Sequence, residues 1–151
     1  MRRVRTRGQT MVEFALVAPV FFLLTLGVVD FSRAAWAYNT VAFLARDGAR
    51  YGTSPSHGVN AIASHVKNRC TTMLSDMCYT PPLPASFPPN SVAINVARGC
   101  GSTSSAVTVT VTDYFEPASP LIANLWGGGT LDLQATSQMY VEPAPAGGCA
   151  A

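Results

Sequence analysis

The sequence predicts an α+β chain: a long N-terminal membrane-spanning helix, a second amphipathic helix, and a small antiparallel sheet of about three strands. Three observations carry this expectation. Residues 14–29 hold sixteen consecutive residues without a charge. An apolar rhythm then continues at helical spacing to residue 51, and the C-terminal half alternates apolar and polar residues with period two.

The charge-free run, FALVAPVFFLLTLGVV, lies between Glu13 and Asp30. As a helix it rises about 24 Å, and its flanking apolar residues extend it towards the roughly 30 Å hydrocarbon core of a bilayer. Residues 14–31 are therefore read as the membrane segment. The net charge of +2 conceals an asymmetry, because Arg2, Arg3, Arg5 and Arg7 all precede residue 8; without them six basic residues face eight acidic ones. That distribution places the N-terminus inside and the rest of the chain outside by the positive-inside rule. It also argues against a nucleic-acid-binding body, which needs a basic patch.

Beyond the membrane segment, Phe31, Ala34, Tyr38, Val41, Ala45 and Ala49 recur every three or four residues. The first helix is thus expected to continue to about residue 51, roughly twice the length a bilayer requires, with a kink at Pro19. Residues 58–78 form the second helix, with Val59, Ile62, Ala63, Val66, Cys70, Met73, Leu74 and Met77 on one face. Five prolines among residues 79–91 mark an extended linker. Strands are expected over 91–97, 106–114 and 130–142, with Val92, Ile94 and Val96, Val107, Val109 and Val111, and Leu131, Leu133, Ala135, Met139 and Val141 inward. One wet face means a sheet covered on one side, by the two helices. Residues 143–151 read as a flexible tail.

Cys70, Cys78, Cys100 and Cys149 all fall in the external part, where an even count points to disulfides. Zinc is disfavoured: the spacings are 8, 22 and 49 residues, and His57 and His65 are not arranged as a ligand pair. With Cys70 and Cys78 both on one helix they would stand about 12 Å apart, beyond bridging range, so each is expected to pair with Cys100 or Cys149. No metal and no cofactor is implied. Residues 127–129 are glycines without a following Lys-Ser/Thr, hence a turn and not a phosphate loop. No G-x-S-x-G elbow is present to support a hydrolase.

Glu13 at the entrance to the apolar run has three readings. Thr10 to Glu13 fits a helix capping box. Ala35–Ala37, "AWA", would suit the cleavage site of a secretory signal peptide, although Asp30 and Arg33 intrude before it. The third rests on a resemblance. "RGQTMVEF" resembles the processing site of type IV pilins, where a basic leader ends in Gly and a peptidase cuts after it. Glu13 would then be fifth in the mature chain, with Phe14 at the sixth place, where Flp-type pilins usually carry Tyr. The longer stretch "RGQTMVEFALVAPVFFLLTLGVVDFSRAAWAY…ARDGARYG", with two later strands around a proline-containing connection, is similar to the TadE-like family of pseudopilins. The proline-rich linker and the four cysteines are departures from that pattern.

The resemblance implies a non-catalytic, pilin-like subunit of a Tad (Flp) pilus. Residues 1–8 would be a leader, Gly8 and Gln9 the scissile bond, and Glu13 with Phe14 the assembly register. Residues 9–51 would be the long helix, with Phe14, Pro19, Phe21, Phe22 and Phe31 in its membrane and packing segment, and 52–142 the extracytoplasmic domain with its sheet over 92–142. The implied partners are a prepilin peptidase, other pilin and pseudopilin subunits, the inner-membrane Tad assembly platform and the lipid bilayer, and no nucleic acid. The implied place is the cytoplasmic membrane. The rival is an uncleaved bitopic protein whose outer domain binds a ligand or the cell wall.

Overall fold

The computed structural model describes residues 7–74, 77–100, 105–119, 123–124, 127 and 129–141. Helix α1 runs Arg7–Tyr51, 45 residues or about 68 Å, and α2 runs Val59–Met73. Strands β1 (Cys78–Tyr79), β2 (Val92–Cys100), β3 (Ser105–Phe115) and β4 (Leu131–Val141) make one sheet in the order β1-β2-β3-β4. β1 is parallel to β2, and the other pairs are antiparallel. The α+β expectation holds, with one short strand more than anticipated.

Both helices cover one face of this sheet, α1 across β3 and β4, and α2 across β2. The alternation does what period two requires. Val92, Ile94 and Val96 of β2 and Val107, Val109 and Val111 of β3 are buried, and β4 keeps its odd-numbered residues inward from Leu131 to Val141. They meet Val41, Leu44, Ala45 and Ala49 of α1 and Ile62, Ala63, Val66 and Cys70 of α2. The outer face is hydroxyl- and amide-rich, with Thr110 and Thr136 hydrogen-bonded across β3 and β4 at 3.1 Å.

Only the outer part of α1 takes part in this core. Its buried positions are Asp30, Ala37, Val41, Leu44, Ala45, Gly48 and Ala49, a stripe that follows 3.6 residues per turn. Phe31 and Tyr38, placed on that stripe by the sequence rhythm, are instead exposed. The true stripe begins one residue earlier, at Asp30. Through "ARDGARYG" the helix presents alanine and glycine, so its backbone approaches α2 and β3 closely. Tyr51 closes the helix between two imidazoles, its ring 3.9 Å from that of His57 and 4.1 Å from that of His65. His65 Nε2 also lies 2.9 Å from Asp47 Oδ2 and fastens α2 to α1, while His57, in the connection, holds the end of α1 through Nδ1, 2.8 Å from the Tyr51 carbonyl.

α2 is shorter than the sequence pattern suggested. Thr71 and Thr72 both turn their hydroxyls back to the Asn68 carbonyl, which competes with the helix ladder. Leu74 caps the end onto the Cys70 carbonyl. Cys78 therefore lies on β1 beside Val92, and its Cα stands 6.3 Å from that of Cys70, to which it is disulfide-bonded. The pairing with Cys100 or Cys149 expected for each is corrected for this reason: the distance objection assumed a helix that has already ended. Cys149 lies outside the described residues, as does the tail. Closing a loop of 8 residues constrains the unfolded chain by about 2–3 kcal/mol. Cys78→Ser, or added dithiothreitol, should lower the thermal midpoint accordingly in a melt followed by circular dichroism.

The proline-rich segment is also packed rather than merely extended. Phe87 stacks on Tyr114 at 4.6 Å and meets Tyr79 edge-on at 5.8 Å. Ser91 donates to the Pro88 carbonyl at 2.6 Å. Asn90, at φ 57°, occupies the left-handed region that asparagine tolerates, and its N–H bonds Tyr114 O at 2.7 Å.

Candidate functional site

From Gly8 to Val29 α1 buries nothing against the rest of the chain. Phe14, Phe21 and Phe22 stand exposed along it, as does Phe31 beyond its end, with Phe21 and Phe22 in edge-to-face contact at 5.9 Å. Such a surface needs a bilayer or other helices around it. Among the described residues this is the one helix long and apolar enough to cross a membrane, which supports single-pass anchoring.

Gly8, Gln9, Val12, Glu13 and Leu16 lie along one side of this free end. Gln9 and Glu13 are one turn apart, so groups at these positions are neighbours on the helix surface. With the chain intact, Thr10 already sits inside a helix that begins at Arg7, so a capping role for Thr10 does not fit. Ala35 to Ala37 are also mid-helix, and Ala37 is buried against the head domain.

At the other end of the apolar run, Asp30 fastens the helix to the head. Its carboxylate accepts hydrogen bonds from the backbone N–H groups of Ala118 (3.1 Å) and Ser119 (3.0 Å) and from the Ser119 hydroxyl. Arg33, one turn on, lies 3.6 Å from Asp30 and places its guanidinium over the Phe115 ring at 5.3 Å. The "DFSR" signature is thus a neck. An acid and a base on one helix face grip the end of β3 and the segment that follows it, just beyond the charge-free run.

Above the neck, Asp113 of β3 follows Val107, Val109 and Val111 on the inward face and is buried with them. Strict alternation through "AVTVTVTDYF" puts it there, a signal visible in the sequence once the pattern is carried past Val111. Burial pushes its carboxyl up from 3.8 to about 6. Below about pH 4 folded and unfolded chains both hold the proton, and there is no penalty. As pH rises from 4 to 6 the unfolded chain releases it while the folded chain keeps it, so stability falls across that window and stays lowered above it. Asp113→Asn should remove this slope, raising stability at pH 7.5 by on the order of 2–3 kcal/mol and leaving it unchanged near pH 4. Urea melts at the two pH values check this.

A small helix-covered sheet on a single apolar helix, with a carboxylate near the free end and a carboxylate-held neck, defines a membrane-anchored α+β subunit. Residues 8–50 match the family model described as TadE-like protein. The resemblance carried by the N-terminal motif is therefore a finding over that helix. Comparison with curated proteins and with solved structures yields no match.

Proposed function

We propose that the chain is a minor pilin-like subunit for assembly of a Tad (Flp) pilus, inserted with its N-terminus inside and trimmed by a prepilin peptidase between Gly8 and Gln9. One observation supports this most directly. Glu13 is the lone charge between Gly8 and Asp30, on a helix whose flanks are exposed through that whole stretch.

A carboxylate at that depth is costly unless it has a partner. Cleavage removes the four arginines and leaves a positive amine on Gln9, one turn from Glu13. That amine, or the amine of a neighbouring subunit, pairs with the carboxylate and sets axial register. The exposed apolar surface, with Phe14, Phe21, Phe22 and Phe31, then packs among other such helices as the subunit leaves the bilayer. Pro19 sits within this packing segment. The head domain rides outside the membrane, on a neck fastened by Asp30 and Arg33.

Gly8→Trp tests the reading. Co-expressed with an active peptidase, the variant should accumulate as precursor, larger than the wild-type band by the leader, and assembly should stop. Identical migration of the two chains would instead favour the uncleaved anchor with a ligand- or cell-wall-binding head.

A further inference from the structure

Between α1, the end of α2 and the sheet lies a pocket of about 370 Å³, within the size range of small-molecule sites. Trp36 and Phe115 supply aromatic walls, Leu74 and Val92 an apolar floor, and Arg33 and Asp113 two charges of opposite sign. These two are the charged groups that face it, from α1 and β3; α2 and β2 present only aliphatic carbon there, and Asn90 adds an amide. Asp113 is only 5% exposed, and among the described residues nothing hydrogen-bonds or ion-pairs with its carboxylate; desolvation is the one influence on its ionisation. Its carboxylate oxygens open onto the pocket instead of being sealed in the core, so they are placed to take a donor from outside the chain. Arg33 is half-exposed and already shared between Asp30 and the Phe115 ring, so it reaches outward from the neck rather than in to Asp113.

The height of the pocket narrows the choice of ligand. The charge-free run ends at Val29, so along the helix axis Arg33 stands about 6 Å and Trp36 about 10 Å beyond it. That is the layer of lipid head groups, where tryptophan is enriched. At this depth a ligand that brings a cation for Asp113 and an anion for Arg33 is a zwitterionic head group. Its acyl chains would continue down the exposed apolar side of α1. A choline ammonium has no N–H to donate, and a glycerol head group has no cation. A second copy of this chain would offer Lys67 and exposed arginines such as Arg46, Arg50 and Arg69, but would leave the pairing of Arg33 with Trp36 at the membrane interface unused.

We infer that this pocket holds the head group of an aminophospholipid, its primary ammonium on Asp113 and its phosphate towards Arg33. The inference rests on the membrane anchoring of α1 and not on cleavage after Gly8, so an unprocessed chain binds equally well.

The test is native mass spectrometry of the full chain released from micelles doped with phosphatidylethanolamine, phosphatidylcholine or phosphatidylglycerol of the same acyl chains. Retention of phosphatidylethanolamine should exceed that of phosphatidylcholine by about tenfold, as expected for a charge-assisted hydrogen bond gained in a buried site. Asp113→Asn should erase that preference, and Arg33→Gln should weaken both phosphatidylethanolamine and phosphatidylcholine. If either variant fails to fold, the wild-type ratio alone decides. Equal retention of the two lipids, or an undiminished preference in Asp113→Asn, overturns the assignment. So does competition by soluble O-phosphoethanolamine at the lipid's own concentration, which would show that the acyl chains are irrelevant. A carbodiimide cross-link from Asp113 to Lys67 of a second copy would give the pocket to a neighbouring subunit instead.

Discussion

Gly48→Leu is expected to abolish folding of the head domain while α1 still inserts. A Cβ at Gly48 would lie 2.4 Å from Val66 Cγ2 and 3.2 Å from Val109 Cγ1, and both valines are fully buried in the shared core. Neither has open space to retreat into, because both are enclosed by the same buried cluster. Even alanine, which gains roughly 1 kcal/mol of helix propensity over glycine, should lose more than that to overpacking, about 1–3 kcal/mol. Leucine should exceed about 4 kcal/mol, the range reserved for a disrupted core. Gly27→Leu is the control on the same helix, since nothing lies within 4 Å of a Cβ there. Limited proteolysis of the two variants in micelles should destroy the head of the first and spare that of the second.

Glu13→Leu is expected to have the larger effect in the cell and none on the fold. Glu13 is exposed and makes no contact with the head domain, so the variant should insert, be cleaved and keep its disulfide. What it loses is the partner for the Gln9 amine. Subunits without that register should fail to enter or start a fibre, and pili recovered by shearing should fall at least about tenfold, the cost of a single charged pairing in hydrocarbon. Normal piliation by this variant would remove Glu13 from assembly. Glu13→Gln separates charge from shape, and should be nearly as defective.

Much of this architecture could be read before any coordinates, for physical reasons that differ by element. The membrane helix was legible because a charge-free run of this length has few alternatives, and β3 and β4 were legible because their alternation is strict. Helix α2 was overextended because Met73, Leu74 and Met77 prolong the apolar periodicity, while the pairing of β1 with β2 that draws the chain away acts from elsewhere in the chain. The disulfide went wrong with it, since a distance reckoned along a helix fails once the helix stops. Phe87 and Tyr114 meet through tertiary contact that proline content does not report. At the neck, "DFSR" stood within the stretch that carries the resemblance, yet its structural meaning lay in Ser119, 89 residues from Asp30. Asp113 was the nearest miss: it stands in register with three valines, and the inward face was read as ending at Val111.

The neck and the core together give the long helix its purpose. A passive anchor needs only to cross the bilayer, whereas here the same helix continues into the head and is gripped there by Asp30, Arg33 and the glycine-alanine stripe. Any axial shift of the membrane segment must therefore carry the head with it. That coupling suits a subunit lifted bodily out of a membrane.

The most direct measurement is the intact mass of the chain extracted from native membranes in which a prepilin peptidase is active. The account expects a polypeptide that begins at Gln9, lacking the eight-residue leader and its four arginines. A chain still beginning at Met1 under those conditions would contradict it, and would leave Glu13 an unpaired charge on an ordinary anchor.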